Sequence, residues 1–168
     1  MRNTQERTAK NTSMKKILFF LLFTGSFTFA QMPDIAQVWL NNSKPYTGTI
    51  GNETEAIKVK IDISEQNRKN DQEYFLAGYS LVGNNYSKFE GKLHITKYRD
   101  GKKRSAVYGE YELAEEAKGK HSGIFKGKFI YTFIWNKKAQ HIKGQFIEFT
   151  GSWTSYDGSL NFKTNWKN

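Results

Sequence analysis

In Ile57-Lys58-Val59-Lys60-Ile61-Asp62-Ile63 every odd position is apolar and β-branched, and every even position is charged. A repeat of two puts alternate side chains on opposite faces of an extended chain, so this segment reads as a strand with one buried and one wet face. The same rhythm returns between turn signals. Tyr74 to Leu81 ends at Gly83-Asn84-Asn85, and Lys88 to Tyr98 ends at Asp100-Gly101. Ala106 to Ala114 ends in the polar stretch Glu115 to Lys120. A long strand from Gly123 towards Trp135 meets Asn136-Lys137-Lys138, and residues 141 to 154 run up to Asp157-Gly158. Leu160, Phe162, Thr164 and Trp166 close the series on one face, while residues 64 to 72 are wholly polar and read as a long loop.

With a first strand from Tyr46, the count is about eight, and no convincing long helix follows residue 45. Evenly spaced strands joined by hairpin signals define an all-β domain, and sequential hairpins favour a small antiparallel up-and-down β-barrel over an open sandwich. Closure also removes the free edges through which such strands would aggregate. Gly48, Gly78, Gly91, Gly109, Gly127, Gly144 and Gly151 fall in or beside strands, where glycine marks bends or close approach. In Gly109-Glu110-Tyr111, Phe125-Lys126-Gly127 and Gly151-Ser152-Trp153 an aromatic ring is expected to cover a neighbouring glycine.

Ahead of the strands, Lys15-Lys16, the apolar run Ile17 to Phe23 and the small-residue end at Ala30 match a cleavable signal peptide. Residues 1 to 30 are therefore assigned to it, as an N-terminal signal helix, with Gln31 as the mature start; Met14 is the more natural first residue. The apolar run is shorter than the roughly 20 residues that span a bilayer core, so no membrane span is expected after cleavage. Residues 31 to 45 hold both prolines and read as a connector. Within it, Ile35, Val38 and Trp39 could share the face of one or two helical turns that plug or flank the domain; an ordered lead-in is the simpler expectation. The barrel domain is then 46 to 168.

The formal charge is +10, but Arg2, Arg7, Lys10, Lys15 and Lys16 would leave with the signal. The remaining excess bears mainly on solubility. The chain has no cysteine, so neither disulfides nor a lipid-modified cysteine can serve an exported form.

Tyr46-Thr47-Gly48-Thr49-Ile50, Gly78-Tyr79, Phe89-Glu90-Gly91-Lys92-Leu93, Tyr111-Glu112-Leu113-Ala114-Glu115, Gly123-Ile124-Phe125-Lys126-Gly127, Gly144, Gly151-Ser152-Trp153 and Leu160-Asn161-Phe162 occur in this order. The series resembles small exported β-barrel domains of unknown function that are common in Bacteroidetes, and the signal ending Phe29-Ala30-Gln31 is similar to theirs. The resemblance covers roughly residues 46 to 166. It implies the barrel fold and an exported location and supplies no catalytic residues. Avidins and lipocalins are similar in architecture, but the first strand here lacks their Gly-x-Trp opening, so neither biotin nor lipid binding is carried over.

Catalytic patterns are weak. His94, His121 and His141 have no tight ligand spacing, so no metal site is expected. Glu110, Glu112, Glu115 and Glu116 form the densest acidic group; paired carboxylates can cleave glycosidic bonds, but lysines 118, 120, 126 and 128 offer them cross-strand charge pairs. No serine sits in a nucleophile elbow and no glycine loop suits phosphate. The expectation is a protein that is not an enzyme and needs no cofactor.

Two surfaces remain. Arg99, Lys102, Lys103 and Arg104 bracket a turn and could meet an acidic partner, or simply keep a hairpin tip soluble. Tyr79, Tyr111, Tyr131, Trp135, Trp153 and Trp166 are rings that either line a cup for a small ligand or fill a narrow barrel, filling being the simpler reading. The leading expectation is a monomeric, exported binding module of the periplasm or medium, with an unknown small ligand or envelope protein as partner and no nucleic acid. The alternative is an inhibitor or immunity protein acting on an envelope hydrolase or toxin, presenting loop 64 to 72 or 99 to 104.

Overall fold

Alternation of buried and exposed positions marks the core-facing part of each long strand and sets the architecture. The computed structural model describes residues 32–51, 55–136 and 138–168; the expected signal segment and the start at Met14 lie outside the described residues. The strands are β1 (Tyr46–Ile50), β2 (Glu55–Asn67), β3 (Asn70–Val82), β4 (Asn85–Arg99), β5 (Ser105–Glu115), β6 (Gly123–Asn136), β7 (His141–Ser155) and β8 (Asn161–Lys167). Each pairs antiparallel with the next, and β8 returns to β1 with Trp166 opposite Gly48 and Thr164 opposite Ile50. The result is the closed up-and-down barrel that the two-residue rhythm anticipates.

Two segments differ from the preferred sequence reading. Residues 64 to 72 are not a loop: β2 and β3 continue through them to a two-residue turn at Arg68-Lys69. Both faces of this arm are largely wet, so its strands need no apolar pattern. Side chains tie it instead, with Gln66 Nε2 donating to Asp71 O at 2.8 Å and to Tyr74 Oη at 3.1 Å, and Asn67 Nδ2 to Glu73 Oε1 at 2.7 Å. Asp100-Gly101 opens the expected hairpin connection between β4 and β5, a five-residue one, 100 to 104, in which Asp100 Oδ1 accepts from Ser105 Oγ at 2.7 Å. Second, the lead-in takes the alternative of a helical turn rather than a plain ordered path: it forms α1 (Ala36–Trp39), followed by a 3₁₀ turn at Asn41–Ser43.

A helix of one turn has no stability of its own. The barrel holds α1 by both ends: Ile35 N donates to Tyr74 Oη at 3.2 Å, and Tyr46 Oη donates to Trp39 O at 2.9 Å. Trp39 itself is fully buried, with its ring edge-on to Tyr74, Phe129 and Tyr131 at 5.8, 5.1 and 5.9 Å. The lead-in is thus a plug. It seals the end of the barrel at which β1, β3, β5 and β7 begin.

Behind the plug the interior is solid with rings. Phe149 stacks on Trp166 at 3.8 Å, Tyr46 and Tyr111 set their edges against both, and Phe129 links Phe149 to Trp39. Each such pair contributes about 0.5–1.5 kcal/mol beyond its apolar burial. Close packing needs glycine at specific wall positions. The Phe129 ring lies where a side chain at Gly109, its cross-strand partner, would go. Gly127 and Gly151 face each other across β6 and β7, each leaving space only for the other's backbone.

The outer wall is charged. Lys58, Lys60, Lys92, Glu110, Glu112, Lys126 and Lys128 point away from the core, and Lys126 pairs with Glu112 at 2.8 Å. This is the reverse of the apolar band of a lipid-facing barrel. Among the described residues no helix is long and apolar enough to cross a membrane.

Candidate functional site

The barrel's other end, where β2, β4, β6 and β8 begin, is not packed shut. It holds an open recess of about 490 Å³, a size typical of small-ligand sites. Phe125, Trp153, Leu160 and Phe162 form apolar walls, Ser80, Ser87 and Asn85 add polar points, and Glu55, Glu115 and His121 bring ionisable groups.

Glu115 is the centre of this arrangement. On β5 the odd positions Val107, Gly109, Tyr111 and Leu113 all face inward, and Glu115, the last residue of the strand, keeps the same parity. Its side chain therefore enters the barrel mouth, where the residue is 5% exposed. Ser80 Oγ donates to Oε1 at 2.5 Å. Trp153 Nε1 and Gly123 N donate to Oε2 at 2.8 and 3.1 Å. One carboxylate thus draws together β3, β5, β6 and β7.

The surrounding loops are fastened to the same residue. Tyr156 Oη donates to the Glu115 carbonyl, and Tyr156 N donates to Ser122 O at 3.1 Å, tying the connection after β7 to the one after β5. Partial burial, reinforced by the nearby Glu115 carboxylate, raises the Tyr156 phenol above its ordinary range. Trp153 in turn stacks on Phe162 at 5.9 Å with 12° between the rings.

The sequence reading puts Glu115 in an acidic group that pairs with lysines and gives His121 no ligand role. Both border the recess. The alternation that identified β5 as a strand was signal enough to turn Glu115 inward. No comparable signal marked His121, whose placement depends on the path of the 116–122 connection. The other glutamates behave as cross-strand pairing implies: Glu110 and Glu112 sit opposite Lys128 and Lys126 on the outer wall.

The six rings taken as lumen candidates separate into groups. Trp153 lines the recess. Tyr111, Tyr131 and Trp166 are buried in the packed half and act as filling. Burial pushes the Tyr111 and Tyr131 phenols up to about 12, with Thr164 and Trp166 offsetting part of the effect at Tyr111. Tyr79 is not in the lumen at all. The inward positions of β3 are Tyr74, Leu76 and Ser80, so Tyr79 falls on the outside, its ring 4.9 Å from that of Tyr86. Trp135 does not line the recess either: it is 46% exposed near the plugged end, just beyond a register shift between β6 and β7. Arg99, Lys102, Lys103 and Arg104 are all exposed at that same end, away from the recess, with Arg104 Nη1 donating to Thr132 Oγ1 at 3.1 Å.

Among the described residues no three His, Asp or Glu side chains converge on a common metal position. Comparison of the chain with protein-family models, with curated proteins and with solved structures finds no match.

Proposed function

We propose that this chain is an exported, non-enzymatic binding module that takes a small ligand into the open mouth of its barrel. One observation carries the reading: the barrel is plugged and packed at one end, while the other keeps a recess of about 490 Å³ with aromatic walls and a buried, hydrogen-bonded carboxylate. Aromatic walls suit an apolar body, and a few fixed polar groups suit its orientation. The signal-like stretch from Lys15 to Ala30 supports a protein that works outside the cytoplasm.

The test is a thermal-shift screen of the mature protein against small amphipathic compounds, with Trp153 fluorescence as the second readout. A true ligand at about 100 times its Kd adds roughly 2.7 kcal/mol of stability. Val82→Trp, placed in the recess wall, should abolish the response while leaving the fold intact. Ligands that stabilise this variant as well as the wild type would show that binding occurs elsewhere.

A further inference from the structure

We infer that the recess selects ligands carrying a protonated amine on an apolar body; the inference rests on the reading of the recess as a ligand site. Among the described residues the lining holds two carboxylates, Glu55 and Glu115, and one imidazole, His121, but no lysine or arginine. This is a marked local inversion in a chain with 26 basic against 16 acidic residues. The formally charged groups that line the cup are therefore carboxylates, against the sign of the whole molecule.

Among the described residues Glu115 has no counter-ion. The ion pairs of the described residues are Lys60–Asp62, Lys92–Glu73, Lys118–Glu116 and Lys126–Glu112, and none involves Glu115. Its side-chain partners are a hydroxyl, an indole and a backbone amide, all neutral donors. They fill three of the roughly four acceptor directions of a carboxylate. Oε1, with a single donor, keeps capacity for one more. A buried charge without an opposite charge is costly, and an ammonium group entering from the recess would supply both the missing charge and a strong charge-assisted hydrogen bond. Trp153, Phe125 and Phe162 then offer aromatic surface to the rest of the ligand, with cation–π attraction wherever the ammonium lies over a ring face. A carboxylate or phosphate ligand would meet like charge at the same place.

The experiment uses three probes with closely similar bodies: phenethylammonium, 2-phenylethanol and 3-phenylpropionate. Each is titrated at neutral pH into the mature protein, following the Trp153 indole N–H resonance and displacement of the neutral dye Nile red. Phenethylammonium should bind about tenfold or more tighter than the alcohol, with the propionate weakest. Glu115→Gln should bring the amine down to the level of the alcohol. If that variant fails to fold, the ranking of the three probes on the wild type decides alone. Equal binding of amine and alcohol, or preference for the propionate, would overturn the amine selectivity and leave the recess as a ligand site. If Nile red does not bind and no probe moves the Trp153 resonance, the recess reading itself falls.

Discussion

Trp153 and Glu115, 38 positions apart in the chain, are joined by a 2.8 Å hydrogen bond from the indole nitrogen to Oε2 inside the barrel mouth. The bond orients a large ring with a buried charge, so the recess wall and the recess carboxylate are parts of one unit. Glu115→Ala removes the acceptor of Trp153, Ser80 and Gly123 together. The expected cost is about 2–3 kcal/mol, held down because water can enter the open mouth to replace part of what is lost. Glu115→Gln keeps one acceptor oxygen and should lose less. Urea unfolding followed by tryptophan fluorescence measures both; a Glu115→Ala variant as stable as the wild type would mean that the carboxylate does not organise the site.

Trp39→Ala should be among the most damaging single changes. The ring is fully buried against Tyr74, Phe129 and Tyr131, and truncation of such a residue costs about 3–5 kcal/mol. Hydrogen exchange should show faster opening of Ile35 N, whose bond to Tyr74 depends on the helix staying docked. A small change in stability would show that α1 only rests on the barrel.

Two glycines offer a matched contrast. A β-carbon at Gly127 would collide with the carbonyl of Thr150 and the backbone of Gly151, so Gly127→Ala should destabilise by about 1–3 kcal/mol or more. At Gly144 nothing lies within 4 Å of the same atom, and Gly144→Ala should be neutral or slightly stabilising. Chemical denaturation of the two variants side by side gives the answer; equal effects would contradict the close approach of β6 and β7.

Alkaline pH should unfold the barrel through its interior tyrosines. Burial raises Tyr111 and Tyr131 from the usual value of 10.0 to about 12 and raises Tyr46 further, the last also through Tyr131. Above pH 10 the unfolded chain releases these protons while the folded chain keeps them, so the folded state binds more protons and stability falls as pH rises. The loss should begin at about pH 10, run to about pH 12 for Tyr111 and Tyr131 and continue above that for Tyr46, and the same groups contribute no pH dependence well below pH 10. Phenolate absorbance should therefore show exposed tyrosines titrating first and the buried set only together with loss of circular dichroism. A single titration of all tyrosines with the fold intact would show that the interior is open to water.

The core-facing stretches of the wall are legible in the sequence because inside and outside alternate along them, as in Ile57 to Ile61 and again in Gly109 to Leu113. The polar arm 64 to 72 was misread because strand pairing there is satisfied by the backbone and by Gln66 and Asn67, which leave no apolar trace. Tyr79 was placed inside because aromatic identity was weighed above parity, whereas parity alone puts it outside.

The sequence by itself determined the order of the strands and most of their inward and outward faces, since both depend on neighbours in the chain and on the free energy of burying alternate side chains; closure instead joins β1 to β8, the two ends of the series. Only the tertiary structure decided which end is shut and which is open. The Trp39 plug, and the meeting of Glu115 with Ser80, Trp153 and Gly123, are contacts between distant segments. Their geometry is fixed by how the strands close around the interior rather than by any local pattern.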